Sequence, residues 1–304
     1  MEINDKCKDV FNNELMSVNS CGWFERQKLP WWFRLVIWII KLGPVPRHVA
    51  FIMDGNRRYA RAHKYATVLE GHELGFKRLV KVLDWCDYVG IKEVTVYAFS
   101  IENFKRSDDE VKGLLELAEL KFSRLFELLQ TSKQSAVHQV CIRFFGDLQL
   151  LPENLRTLIL KIEALTRDKG KSTFLNICMA YTSTNELYRA VKEANQKINF
   201  EKCEKTSDYF CMINDCMITS DCLPLDMVIR TSERRLSDFL LMKFRPSTYL
   251  HFEENVLWPD FSLWNLLKSI ISFQFSRFEI IKIEATNKNR CYKFYELWTL
   301  TSKN

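Results

Sequence analysis

Five short apolar runs recur along the chain, at His48–Met53, Val94–Phe99, Val140–Phe145, Phe174–Met179 and Met227–Arg230. Each is nearly continuous rather than alternating, the pattern of a strand covered on both faces. Stretches of helical period lie between them. Phe76, Leu79, Val80, Leu83 and Cys86 form one apolar stripe. Ser107 with Glu110 three residues later reads as a capping box, opening a long helix that carries Val111, Leu114, Leu115, Ala118, Phe122, Leu125 and Leu129. Further helices are expected at 153–168, 184–198 and 262–275. Strand, helix and strand in turn predict an α/β fold, with a mostly parallel central sheet flanked by helices and joined by right-handed crossovers. The stretch 199–223 is poorly patterned and is expected to carry one short helix, and the sequence after 285 reads as a weakly ordered tail.

Composition narrows the function. Over 304 residues, 47% are hydrophobic and the net charge is +6, so the chain is globular and only mildly basic. That argues for an anionic ligand and against a nucleic-acid coat, which needs a wide basic surface and exposed stacking aromatics. The ten cysteines include no Cys-x-x-Cys pair, and Cys203, Cys211, Cys216 and Cys222 fit no common zinc spacing. They read as reduced thiols of a protein facing the cytosol. The first 30 residues lack the apolar core of a signal peptide. Trp31–Lys41 follows, an apolar run holding three tryptophans and Arg34. A bilayer span needs about 20 apolar residues, so this run should not cross. Two readings stay open: a helix lying in the membrane interface, where indoles and basic residues meet headgroups, or a helix packed on the body of the protein. Gly43 and Pro44 end it.

In open parallel sheets, ligands bind beyond the carboxyl ends of the strands. After the first run comes Asp54-Gly55-Asn56-Arg57-Arg58. A carboxylate there suits Mg²⁺, which prefers oxygen and shares it with phosphate. Gly55 lets the backbone approach a ligand closely, and the two arginines are planar forks for phosphate oxygens near a helix start. On these five residues alone, a surface turn with solvated arginines is an equal reading. The segment lacks the Gly-Lys-Ser/Thr ending of a Walker A loop, and no Gly-x-Gly follows a strand. Ser100, Asn103 and Arg106 follow the second run; Arg230, Arg234, Arg235 and Ser237 cluster after the last. Three strand ends carrying Arg and small polar groups, with one Asp, point to a site for two phosphorylated groups and a divalent cation. Asp108-Asp109-Glu110-Val111-Lys112 is not an Asp-Asp-x-x-Asp metal motif, because lysine replaces a carboxylate; it reads as a helix start.

These segments resemble the cis-prenyltransferase (undecaprenyl diphosphate synthase-like) family, and within it the catalytic subunits of eukaryotic dehydrodolichyl diphosphate synthases. The resemblance rests on His48-Val-Ala-Phe-Ile-Met-Asp-Gly-Asn-Arg-Arg-Tyr59, Gly71-His72, Val94 through Arg106, Phe145-Gly-Asp-Leu148, Leu175-Asn176, Val228-Ile-Arg-Thr231, Arg235 through Leu241, and Val256-Leu-Trp-Pro-Asp260, in order over about 44–275. It implies a transferase that adds isopentenyl diphosphate, with cis geometry, to farnesyl diphosphate, making long polyprenyl diphosphates for dolichol and protein glycosylation. Asp54 would hold Mg²⁺ against the allylic diphosphate; Gly55, Asn56, Arg57, Arg58, His72 and Arg106 would bind or support that diphosphate. Ser100 and Asn103 would sit between the substrates and assist ionisation or proton removal. Arg230, Arg235 and Ser237 would bind isopentenyl diphosphate, and an apolar tunnel would take the growing chain.

The sequence also departs from the family pattern. Val68 stands where relatives carry a phosphate-binding Arg, and a Gly is missing between Arg230 and Arg235, which could displace Arg235 or hand its place to Arg234. Tyr249 replaces a metal-binding Glu of bacterial relatives, with Glu253 and Glu254 out of register. No Arg-x-Gly occurs in the chain. The resemblance then implies a partner subunit similar to the Nogo-B receptor that supplies this motif, and peripheral association with the cytosolic face of the endoplasmic reticulum membrane. The expected division is an N-terminal segment 1–43 with the Trp-rich helix, a catalytic domain 44–285 and a tail 286–304. A competing expectation is a catalytically weakened paralogue serving as a binding or regulatory subunit, favoured by Val68 and the missing Gly.

Overall fold

The computed structural model describes Trp23 and residues 31–131, 139–167, 170–197, 206–277 and 279–282, so the expected tail 286–304 lies outside the described residues. Six strands form a single sheet: β1 (His48–Ile52), β2 (Glu93–Ser100), β3 (Val140–Phe145), β4 (Thr173–Tyr181), β5 (Met227–Thr231) and β6 (Tyr249–Glu253). Every pairing is parallel and the order is β3-β4-β2-β1-β5-β6. The five predicted strands all form. The sixth escaped the apolar-run criterion because β6 is an edge strand, paired only to β5, with His251 and Glu253 interleaved among its apolar residues. β1 is central, and all five of its residues are buried, as its unbroken apolar run requires.

The helices are α1 (Trp31–Ile40), α2 (Asn56–Ala62), α3 (Val68–Val89), α4 (Asp108–Thr131), α5 (Glu153–Thr166), α6 (Ser183–Lys197), α7 (Thr206–Asp215) and α8 (263–277). α3 starts where Glu70 turns back to accept the Thr67 N–H at 2.9 Å and stops at Gly90, whose φ of 94° no ordinary side chain favours. Its stripe buries Leu79, Leu83 and Cys86. α4 begins at the predicted place, with Asp108 and Asp109 exposed in its first turn. Glu110, read as half of a capping box, directs its carboxylate to Arg106 at 2.7 Å.

One large core lies between the sheet and α1, α3, α4, α5 and α8. α1 contributes Phe33, Ile37 and Ile40 to it, and the Ile40 carbonyl accepts a bond from Gln274 of α8 at 2.8 Å. Its other face leaves Trp31, Leu35, Trp38 and Ile39 exposed. The helix thus packs on the body and presents an apolar outer face at once. Among the described residues, no helix is long and apolar enough to cross a membrane.

Strand order reverses at β1, with β2 on one side and β5 on the other. The carboxyl ends of these three neighbours carry Asp54, Ser100 and Arg230. Such a switch point opens a crevice.

Candidate active site

A cavity of about 980 Å³ opens there. Its lining includes all twelve residues singled out from the sequence: Asp54, Gly55, Asn56, Arg57, Arg58, His72, Ser100, Asn103, Arg106, Arg230, Arg235 and Ser237. Eight basic and four acidic side chains line it, so the cavity concentrates positive charge that the modest net charge of the chain conceals.

The geometry begins at the turn after β1. Gly55 has φ 110°, and a Cβ on it would stand 2.5 Å from the Ser232 hydroxyl, so only glycine fits. The Asp54 carbonyl accepts bonds from the Thr231 hydroxyl (2.6 Å), the Trp258 N–H (3.0 Å) and the Ser232 hydroxyl (3.1 Å). Trp258 is itself fixed, its indole N–H bonding the Gly75 carbonyl at 2.8 Å. The chain segments after β5 and β6 therefore lock the backbone that presents Asp54.

The charged groups form two sets. In the first, Arg230 is buried to 2% exposure; Nη2 donates to Asp54 at 2.9 Å and to Glu233 at 3.1 Å, and Nη1 to the Ser237 hydroxyl at 2.7 Å. Arg58 lies 3.4 Å from both Asp54 and Glu233, and Arg235 pairs with Glu233. In the second set, Glu110 holds Arg106 at 2.7 Å and Arg57 at 3.7 Å. His72 neighbours these arginines; burial, then Arg106, push its pKa down to about 4 despite Glu110, so at neutral pH the ring is uncharged. Ser100 and Asn103 line the same cavity. The Asn103 side-chain oxygen accepts the Ser100 N–H at 2.9 Å, and the Ser100 hydroxyl accepts from Tyr97 at 2.8 Å. Burial raises the Tyr97 pKa, so it stays a phenol.

Among the described residues, three buried side-chain polar atoms have no partner: Asn56 Oδ1, His72 Nε2 and Arg230 Nε. All three belong to residues that line this cavity. Buried polar atoms are rarely left unpaired, so the cluster marks a place built for a ligand.

A family model described as putative undecaprenyl diphosphate synthase matches residues 52–279. The chain belongs to the cis-prenyltransferase family. Human dehydrodolichyl diphosphate synthase complex subunit DHDDS is 45% identical over 254 residues, covering 83% of this chain and 74% of its own. A dehydrodolichyl diphosphate synthase complex subunit of Schizosaccharomyces pombe is 37% identical, covering 84% and 97%. Among solved structures, lavandulyl diphosphate synthase of Lavandula x intermedia, in complex with dimethylallyl diphosphate, aligns with a TM-score of 0.67 and 29% identity, over 76% of this chain and 95% of its own. The chain is thus a prenyltransferase of the polyprenyl diphosphate synthase type.

The departures from the cis-prenyltransferase pattern now have positions. In the loop after β5 Ser232 has φ 73°, a left-handed conformation, and Arg235 lines the cavity. Arg234 instead pairs with Glu254 and is 72% exposed. Tyr249 pairs with Met227 at the start of β6, at the opposite end of the strand from the cavity, and Glu253 is engaged by His251 at 3.0 Å. Val68 is the first residue of α3 and does not line the cavity, whereas Arg61 of α2 does. Sequence reasoning missed Glu233 and Glu110 as the carboxylates that position the arginines. Their only signal was proximity to arginine in the chain, which many surface residues share.

Proposed function

We propose that this chain is the catalytic subunit of a dehydrodolichyl diphosphate synthase, elongating farnesyl diphosphate with isopentenyl diphosphate units in cis geometry. The observation that carries the reading is the pairing of two guanidinium sets with one apolar cavity. The Arg57–Arg106 set, with His72, Gly55, Asn56 and Arg58, takes the allylic diphosphate; Arg230, Arg235 and Ser237 take that of isopentenyl diphosphate. Arg58, the neighbour of Arg57 in the chain, contacts the carboxylates of the Arg230 set, 3.4 Å from Asp54 and from Glu233. Preorganised guanidinium groups stabilise the negative charge that develops as the allylic carbon–oxygen bond breaks. The isopentenyl alkene attacks that carbon and loses a proton. Ser100 and Asn103 are not bases at neutral pH; they hold the reacting ends together while a diphosphate oxygen takes the proton.

The donor set fits Mg²⁺ in one way. Among the described residues there is no cluster of three or more His, Cys, Asp or Glu able to cage a metal. Mg²⁺ bound by one carboxylate, water and substrate phosphate needs no cage, and the partly exposed Asp54 supplies that carboxylate. Bound there, the ion neutralises the departing diphosphate.

Residues 44–285 act as the catalytic domain. The exposed apolar face of α1, with Trp31 and Trp38, suits peripheral binding to the cytosolic face of the endoplasmic reticulum membrane. A partner subunit similar to the Nogo-B receptor, carrying Arg-x-Gly, completes the isopentenyl site; human, mouse and yeast relatives bear the name of complex subunits. The test is incorporation of labelled isopentenyl diphosphate into polyprenyl product from farnesyl diphosphate and Mg²⁺, with the partner co-expressed. Asp54→Ala should reduce it about 10²- to 10³-fold. Incorporation that survives the substitution overturns the metal assignment; none with any partner supports a non-catalytic subunit instead.

A further inference from the structure

Ser237, the hydroxyl of the Arg230 set, sits in an unusual stretch of backbone. It has φ 49°, Asp238 follows at 54°, and Leu240 is a third left-handed residue at 51°. A Cβ disfavours that region, and Asp and Asn tolerate it better than Ser or Leu. Two such residues in succession persist only where their surroundings over-determine them. One hold is on the cavity side, where Arg230 Nη1 donates to the Ser237 hydroxyl at 2.7 Å. Another is Phe239, fully buried and stacked on Tyr97 with ring centres 4.5 Å apart.

The third hold is Asp238. Its carbonyl accepts the Ser183 N–H at 2.7 Å, and its two carboxylate oxygens lie 3.2 and 3.3 Å from the Thr184 nitrogen, whose N–H they accept. Ser183 and Thr184 open α6, where the first N–H groups have no partner within the helix and negative charge is favoured. The Ser183 hydroxyl in turn accepts the Met242 N–H at 3.3 Å. Capping does not by itself account for Asp238, because α6 has a cap of its own: the Thr182 hydroxyl accepts the Asn185 N–H at 3.3 Å. Nor does α6 lend a side chain to the cavity. What that helix gives the site therefore passes through the turn that Asp238 fastens to it.

We propose that Asp238 is a positioning residue for isopentenyl diphosphate: by anchoring the left-handed turn on α6 it aims the Ser237 hydroxyl, and the Arg230 fork bonded to it, at the diphosphate. This rests on the prenyl-transfer reading above and adds to it a residue that acts through Ser237. The test uses the full chain with its partner and reads kcat and the KM of each substrate separately, with unfolding in denaturant beside them. Asp238→Ala removes the carboxylate bonds and the tolerance of left-handed backbone. The KM for isopentenyl diphosphate should rise about tenfold, the worth of a weakened hydrogen bond to a charged group, with kcat and the KM for farnesyl diphosphate within about twofold. Asp238→Gly loses the same bonds but adopts left-handed backbone freely, so it should raise that KM too and decides the question where the alanine variant does not fold. Asp238→Asn keeps an acceptor oxygen and the backbone tolerance, and should stay within about threefold of the unsubstituted chain. Thr182→Val removes only the local cap of α6; it should lower stability and leave both KM values in place. An unchanged isopentenyl diphosphate KM in folded Asp238→Ala and Asp238→Gly overturns the proposal. So does an asparagine variant as impaired as alanine, which would make charge the cause, or a Thr182→Val variant with the same rise in KM, which would make it a general loosening of α6. Failure of the unsubstituted chain to incorporate label with any partner overturns the prenyl-transfer reading beneath it as well.

Discussion

The two ends of the cavity are built in opposite ways. At the phosphate end, arginines from three strand ends are held by Asp54, Glu110 and Glu233, carboxylates from different segments. At the deep end, helices and strands supply apolar side chains such as Leu114, Ala118, Leu175 and Ile177, and Lys121 interrupts them. Loops set the first, and the packing of helices on the sheet the second. At the phosphate end the carboxylates fix the guanidinium groups, and Glu233 holds both Arg230 and Arg235. Charge there is part of the architecture, not decoration on a finished fold. Substitutions at the two ends should therefore fail differently: stability and activity fall together at the charged end, whereas truncations at the apolar end act through packing.

The strongest way to break this contrast is Arg230→Ala. Arg230 is buried and bonds four partners, so its loss opens a buried hole and leaves Asp54 and Glu233 with only the more exposed Arg58 and Arg235. Removing one side of a buried ion pair costs about 3–5 kcal/mol, and activity should fall at least about 10²-fold as well. Unfolding in denaturant and label incorporation measure the two effects; a stable but inactive protein would show that the arginine serves substrate alone. Gly55→Ala comes next. The new Cβ meets the Ser232 hydroxyl at 2.5 Å and the Leu257 backbone at 3.1 Å, at a φ of 110°. Strain of about 1–3 kcal/mol is expected. The displaced Asp54 should lower the rate by about 10²-fold, a larger loss than the stability change alone explains.

The phosphate end was legible in the sequence because each strand runs directly into its functional residues. Once β1, β2 and β5 are placed side by side, Asp54, Ser100 and Arg230 must meet. The shortened loop after β5 was read as a threat to Arg235, yet Arg235 lines the cavity. Which carboxylate holds which arginine was not legible, because Arg58 and Glu233 are far apart in sequence and joined only by the fold. The deep end was less legible still. Lys121 sits one position before Phe122 in a helix stripe, where a lysine reads as solvated, and only the packing of α3 against α4 buries it. β6 was missed for a related reason: an edge strand need not be a continuous apolar run.

The smallest expected effect concerns His72. Its pKa in the folded protein is about 4, set first by burial and then by Arg106, against about 6.5 in the unfolded chain. Between these values the unfolded state binds more protons. Stability therefore rises with pH across this window, is complete above pH 6.5, and is lost as pH falls toward 4. The full contribution is at most about 3.4 kcal/mol, at about 1.36 kcal/mol per pKa unit. His72→Asn keeps a neutral hydrogen-bonding side chain and should flatten that part of the stability–pH curve, leaving stability at pH 7.5 changed by less than about 1 kcal/mol. This sharpens the comparison between the two ends. His72 is held uncharged by burial first and then by Arg106, with Arg57 acting in the same direction, so an anion bound at Arg57 and Arg106 should raise its pKa. Titrating the histidine by NMR with and without inorganic diphosphate reads that directly. A pKa that does not move with diphosphate would place His72 outside the anion site and leave it a packing residue of α3.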